Sequence, residues 1–314
     1  MNTTASQFSL NLTGLKANTK YYYCAYVKVA GTGVYASDER IIKGAVSSFT
    51  TSAAAEPSDP AATAGWLELP GDPNAGDVDN YLSHFKVGSA RNYSYLFDRS
   101  MYTTMWVAYP LYSSTIGGSA SASWKPNPNL PESEQINIWK GSYGVEDYSR
   151  GHLLPDASRD GNSEMLKQAY YATNQVPQIQ NSFNGGIWSN LENGIRAEVK
   201  SDTLYVVTGV AFRKKGGSET IKYIKPQHDT KQCPVPNYFY KVVMKVKRSG
   251  GTIISASTVG FWFEHKKYSG SYADHTVSVD QIEQWTGMDF FVNLPDAVES
   301  AAETNSSWST FRGF

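Results

Sequence analysis

Cysteine is nearly missing from this chain: Cys24 and Cys233 are the only two among 314 residues. A disulfide framework is therefore excluded, and two cysteines in what read as separate domains are expected to be ordinary thiols. Charge of one sign is lacking as well, since 28 Lys and Arg against 29 Asp and Glu leave a formal −1. No global positive field exists to gather a polyanion over a long range, so any anion site must be local. No apolar run approaches the roughly 20 residues needed to span a bilayer, and no membrane span is expected. The opening MNTTASQFSLNL has neither a basic leader nor an apolar run ending in small residues, and it does not read as a signal peptide. Also missing are C-x-x-C, H-x-x-x-H and a Gly-rich phosphate loop, which argues against a structural zinc site or a nucleotide cradle.

What is present supports a large core. Hydrophobic residues make up 40 % and charged ones 18 %, with 21 Tyr, 13 Phe and 8 Trp, far from the composition of disorder. The length suggests two domains. From Phe8 to Thr51 the chain alternates as strands do, with YYYCAYVKV offering Tyr21, Tyr23, Ala25, Val27 and Val29 as one half-buried face. The run TSAAAEPSDPAATAG, small and Pro-containing, has the composition of an exposed linker. Beyond it YSYLF, TMWVAYPLY, TLYVVTGVAF, NYFYKVVMKV and TIISASTVGFWF read as strands, and SEMLKQAYYATN, NGGIWSNLENGIRAEVK and SVDQIEQWTG as helices. Strands with inserted helices give an α+β class. The expected boundaries are 1–52 for an N-terminal β module, 53–65 for the linker and 66–314 for the main domain.

YSRGHLLPDASRDG, residues 148–161, makes a poor helix and an unconvincing strand interior, yet holds one of only five histidines. Downstream, YYATNQVPQIQNSFNGGIWSNLENGIRAEV adds Asn174, Asn184, Glu192 and Arg196. Together they supply a base, a neutral oxygen ligand, a carboxylate and two arginines, the groups that phosphodiester hydrolysis needs. A helix starting near Gly185 would bury Ile187, Leu191, Ile195 and Val199 and carry Asn184, Trp188, Glu192 and Arg196 on a neighbouring stripe. Asn184 and Glu192 would then stand about 12 Å apart along the axis, so they cannot repeat one contact with a small cation. Taken alone, Asn184 would be a helix N-cap, Glu192 and Arg196 an ordinary surface ion pair, and Asn174 a turn residue. RKKGG at 213–217 reads as a solvated hairpin tip, and His84, His228, His265 and His275 have no ligand-like spacing.

These ordered stretches resemble the DNA/RNA non-specific endonucleases of the ββα-metal superfamily. SRGH at 149–152 matches the family's strand element, NQVPQ at 174–178 its N-x-x-P-Q, and FNGGIWSNLE at 183–192 its F-N-x-G-x-W-x-x-L-E. WVAYPL, WKPNPNL, VVTG and VPNYFYKVV extend the likeness across most of 66–314. The resemblance implies a ββα-metal nuclease domain with a central antiparallel sheet, cutting DNA and RNA through the phosphate backbone without base selectivity and leaving 5′-phosphates. It carries the general base to His152, direct ligation of a single Mg²⁺, or Mn²⁺ in its place, to Asn184, and ligation through water to Glu192. It carries phosphate binding to Arg150 and Arg196, and a supporting role to Asn174. It also implies a secreted, periplasmic or cell-surface home.

Two departures stand out. Ser149 occupies the usual Asp position, and Ala122 stands where the family often has an arginine, with Lys125 nearby as a substitute point charge. They motivate a rival reading, a weakened nuclease fold that binds nucleic acid without cutting it. Residues 1–52 resemble the second half of a fibronectin type III domain, with Leu15, Thr19 and Tyr21 in its L-x-x-x-T-x-Y corner. That module motivates a third reading, an adhesion or glycan-binding protein. The sequence assigns neither an oligomeric state nor an inhibitor.

Overall fold

The computed structural model describes residues 20–29, 40–50, 65–145, 147–200 and 203–314. They fall into two compact units, one within Met1–Pro57 and Gly76–Asp79, the other within Ser58–Ala75 and Asn80–Phe314. In the first, β1 (Lys20–Tyr23) pairs antiparallel with β4 (Ser47–Thr50), and β2 (Tyr26–Val29) with β3 (Arg40–Lys43). YYYCAYVKV is thus two strands broken at Cys24 and Ala25; of the expected half-buried face, Tyr21 is half-buried while Tyr23 and Ala25 are exposed. A break inside a period-2 pattern resets which side chains share a face. Leu15 and Thr19 lie outside the described residues.

The second unit is built on a seven-stranded antiparallel sheet. Its strands are β5 (Asn80–Val87), β6 (Ala90–Asp98), β7 (Thr103–Leu111), β10 (Leu204–Ala211), β13 (Tyr238–Ser249), β14 (Thr252–Glu264) and β15 (Thr276–Val277), ordered β15-β14-β13-β10-β7-β6-β5. Two small antiparallel pairs lie outside it, β8 (Tyr148–His152) with β9 (Gln175–Ile179) and β11 (Lys222–Ile224) with β12 (Cys233–Val235). The helices are α1 (Ser163–Ala169), α2 (Ser189–Ala197), α3 (Val279–Thr286), α4 (Asp296–Glu303) and α5 (Trp308–Gly313). Mixed α+β architecture is the class expected. Sequence signals set the ends of α3: the Ser278 hydroxyl accepts from the Gln281 N–H, and Gly287 closes the helix at φ 80°.

Side-chain alternation gives the central sheet two buried faces. Tyr109, Val206, Val210, Phe239 and Val243 point to one, where Leu191 and Ile195 of α2 pack. Trp106, Val207, Tyr240 and Val242 point to the other, where Val279 and Ile282 of α3 pack with Phe290. Gly209 is required between them, because the Tyr240 ring fills the place of a Cβ. Both cysteines are free, and burial pushes the Cys233 thiol up to about 12.

One expected boundary moves. The segment Gln180–Trp188 is a kinked turn with non-helical backbone at Asn181, Ser182, Gly185 and Gly186, and regular α2 starts only at Ser189. Ser182, at φ 68° and ψ −12°, stands in the left-handed region, and with Gly186 at ψ −113° it keeps a regular helix from forming before Ser189. Ile187, Leu191 and Ile195 are buried as expected, while Val199 lies beyond the helix end at Ala197 and is half-buried; Trp188, on the neighbouring stripe, is buried too.

Candidate active site

Strand β8 forms despite its glycine because the glycine is needed. The Gln178 side chain lies across Gly151, so a Cβ there would collide with it. The pairing Gly151↔Val176 and His152↔Gln175 aligns the strand, and the Leu153 N–H continues it onto the Asn174 carbonyl at 3.2 Å. Asn174 is fully buried, and its carboxamide accepts from Leu154 N–H at 2.8 Å and donates to Leu154 and Ala169 carbonyls at 3.0 and 2.7 Å. It is a rivet for the loop after His152, with both ends of its amide engaged.

The His152 ring stacks on Trp124 at 4.5 Å and meets Tyr170 edge-on at 4.7 Å. Its Nε2 is buried without a hydrogen-bond partner among the described residues. Burial pushes its pKa down to about 4, with Asp156 pulling up and Arg150 down. The imidazole is therefore neutral near pH 7 and free to accept a proton. Arg150 lies on the same strand, 5.5 Å from the Trp124 ring, and donates to the Ile138 carbonyl at 3.0 Å. Lys125 is exposed. Its backbone N–H donates to the Tyr170 carbonyl at 3.0 Å, and its carbonyl accepts from the Ala172 N–H at 2.9 Å.

The Asn184 side chain does not cap α2. Its Nδ2 donates to Ser149 Oγ at 3.1 Å and to Gln180 Oε1 at 3.0 Å, which brings it onto β8 and leaves Oδ1 without a hydrogen bond among the described residues. His265 fixes the start of this turn, with Nε2 accepting from the Ile179 N–H at 2.8 Å. Ser149 thus orients Asn184 in the place where an aspartate was expected.

Glu192 and Arg196 do not pair with each other. Arg196 donates to Asn193 at 2.6 Å and lies 3.4 Å from Ser158 Oγ, joining α2 to the loop after β8. Glu192 stands 3.7 Å from Lys241 Nζ, which also donates to Thr208 Oγ1 at 2.7 Å and sits 4.7 Å over the Trp188 ring. Burial raises the Glu192 carboxyl against the lowering pull of Lys241 and Arg196, and lowers Lys241 against the pull of Glu192. Pro155, Ser158, Glu192, Arg196 and Lys241 line one tight cleft with Tyr109.

Sequence reasoning missed two residues. Lys241 carries a signal, a lone lysine inside the apolar strand YFYKVVM, where it is wholly buried. Asp156 carries a weaker one, four residues after His152. Burial works to raise its carboxyl, but His152, the Tyr170 hydroxyl at 2.9 Å and the Ala157 N–H at 2.7 Å hold it below the usual range. Its charge acts on both His152 and Glu192, so it lies between the strand and helix halves of the site. The donor set suits a hard cation: the amide oxygen of Asn184 and the carboxylate of Glu192 are oxygen ligands of the kind Mg²⁺ takes.

Comparison with known proteins identifies the family. Residues 79–297 match the DNA/RNA non-specific endonuclease family. "Nuclease 1, mitochondrial" of Schizosaccharomyces pombe is 24 % identical over 213 residues, 65 % of this chain and 65 % of that protein. A nuclease of Nostoc is 28 % identical over 231 residues, 72 % of this chain and 78 % of its own length, and human "Nuclease EXOG, mitochondrial" 24 % over 218, 65 % and 56 %. The chain thus spans somewhat under two thirds of the fission-yeast and human proteins. A solved EndoG/EndoGI complex shares the fold at a TM-score of 0.57 and 19 % identity, over 77 % of this chain and 95 % of that one. Among the described residues no helix is long and apolar enough to cross a membrane, and the relatives include mitochondrial and bacterial nucleases. A match over more than two thirds of the sequence, on a β8-β9-α2 unit carrying its ordered motifs, places the chain in the DNA/RNA non-specific endonuclease family.

Proposed function

We propose that the protein is a metal-dependent endonuclease that hydrolyses DNA and RNA phosphodiesters without base selectivity, leaving 5′-phosphates. The observation that carries the reading is the unpartnered, buried Nε2 of a neutral His152 beside Arg150. His152 takes the proton of the attacking water. Arg150 and Arg196 hold the phosphate oxygens and the charge that develops on them, with Lys125 as an outer contact. Ser149 and Gln180 hold the Asn184 amide nitrogen and leave its oxygen available to a cation, and Lys241 stands beside the Glu192 carboxylate. Mg²⁺, or Mn²⁺ in its place, held directly by Asn184 and through water by Glu192, would neutralise charge on the phosphate and the leaving oxygen. Asn174 supports the loop and touches no substrate.

Plasmid DNA and RNA incubated with Mg²⁺ are expected to be degraded to 5′-phosphorylated fragments, and to survive in EDTA. His152→Ala should lower turnover by about 10² or more. The Ser149 and Ala122 departures favour the rival, a nucleic-acid-binding protein on a weakened nuclease fold. The rival predicts intact substrate with Mg²⁺ and an affinity that His152→Ala leaves unchanged.

The same reading divides the chain into a fibronectin type III-like module at 1–52, a linker at 53–65 and the nuclease domain at 66–314. It gives the protein a secreted, periplasmic or cell-surface home, where an unrestrained nuclease does not reach the host's own genome. Limited proteolysis that cuts within 53–65 and releases an active fragment supports the division.

A further inference from the structure

The sheet face opposite α2 carries a group of carboxylates that the nuclease chemistry does not use. Asp280 and Glu283, one turn apart on α3, and Glu303, the last residue of α4, each bring a carboxylate oxygen within 4.8 Å of the others. Glu303 is only 6 % exposed, and its Oε1 is buried with no hydrogen-bond partner among the described residues. Glu283 is aimed, because its Oε1 accepts from the Phe290 N–H at 2.7 Å. Glu299 and Asp289 add further negative charge around Glu303. No ion pair joins any of these five to a Lys, Arg or His among the described residues.

Like charges gathered in a buried place repel, and a buried carboxylate without a partner is costly. Two arrangements relieve that: retained protons or a bound cation. We propose that Asp280, Glu283 and Glu303 form a Ca²⁺ site that ties α3 to α4, distinct from the ion used in phosphodiester hydrolysis. Oxygens up to 4.8 Å apart fit around one ion at the roughly 2.3–2.6 Å bonds that Ca²⁺ makes. Ca²⁺ accepts six to eight oxygens in flexible geometry, whereas Mg²⁺ demands a near-ideal octahedron and usually takes only one or two carboxylates. Three carboxylates on two helices suit the larger ion.

The test uses the full chain freed of divalent ions with EDTA and then desalted, so that Ca²⁺ alone or Mg²⁺ alone can be added back. Asn184→Ala removes the direct ligand of the proposed nuclease site and isolates the second one. Ca²⁺ at about 100 times its Kd should raise the melting temperature of wild type and Asn184→Ala alike by roughly 5 °C. Equilibrium dialysis of Asn184→Ala should find one Ca²⁺ per chain. Glu283→Gln/Glu303→Gln should lose the shift while keeping nuclease turnover. Where that double variant does not fold, Asp280→Asn should weaken Ca²⁺ binding at least tenfold. Absence of Ca²⁺ binding in Asn184→Ala, a shift that survives the double variant, unchanged affinity in Asp280→Asn, or an equal response to Mg²⁺ overturns the proposal.

Discussion

The two faces of the central sheet both bury carboxylates, and they balance them differently. On the α2 face every one has a cation of the chain's own: Glu192 has Lys241 at 3.7 Å, and Glu198 has Lys245 and Arg312, each at 2.9 Å. On the α3 face Glu283, Glu299 and Glu303 have none among the described residues. A built-in cation fixes a carboxylate's position and opposes the rise in its pKa that burial causes. A carboxylate without one is left to protons or to an imported ion, and its state then follows the solution. The difference separates a pre-set site from a conditional one.

The largest expected effect comes from removing the built-in cation. Lys241→Met keeps the length and apolar stem but leaves Glu192 buried and unpaired, and should destabilise the protein by about 3 kcal/mol or more in urea unfolding. A neutral result would mean that Lys241 is not what balances this face. The converse change on the other face should act in the opposite direction. Glu303→Gln, measured in EDTA at pH 8, removes the cost of binding a proton on folding and should stabilise by about 1 kcal/mol, a figure kept small because neighbouring acids relax around it. Loss of stability there would show Glu303 to be already compensated.

The pH dependence of stability should also run in opposite directions on the two faces. Glu303 has its folded pKa raised from 4.5 to about 9, so without divalent ions its contribution is fully present below pH 4.5 and is lost as pH rises toward 9. His152 has its folded pKa depressed from 6.5 to about 4, so its contribution is present above pH 6.5 and is lost as pH falls toward 4. Melting curves across pH 4–9 in EDTA should therefore fall at both ends, with Glu303→Gln flattening only the alkaline side and His152→Ala only the acidic one.

Much of this was legible in the sequence, and the rest was not for definable reasons. The strands TMWVAYPLY and TLYVVTGVAF and the helix SVDQIEQWTG emerge near their expected places because period and capping are local. Asn184 and Glu192 were singled out through one ordered motif and Arg196 through its helical spacing from Glu192, because both signals are local. The start of α2 was misplaced because the backbone leaves helical geometry at Asn181, Ser182, Gly185 and Gly186, which the spacing of apolar residues does not register. Lys241 and Glu192 are 49 positions apart, and Glu283 and Glu303 are joined only by the packing of two helices. Their pairing, or its absence, exists only after the chain has folded.

The smallest expected effect tests whether Asp156 belongs to the pre-set side. The acid limb of kcat/KM reports the base of the free enzyme, so it should fall nearer pH 4 than the ordinary imidazole value of 6.5. Asp156 raises the pKa of His152 and is held ionised by it and by Tyr170. Asp156→Asn removes that pull while keeping the side chain's size and its bond from the Ala157 N–H. The limb should then move to lower pH by about half a unit, with the plateau rate little changed. A role confined to bracing the loop after β8 would lower the plateau and leave the limb where it was. Movement of the limb to higher pH would mean that Asp156 does not act on the His152 charge, and it would remove the electrostatic link between β8 and α2.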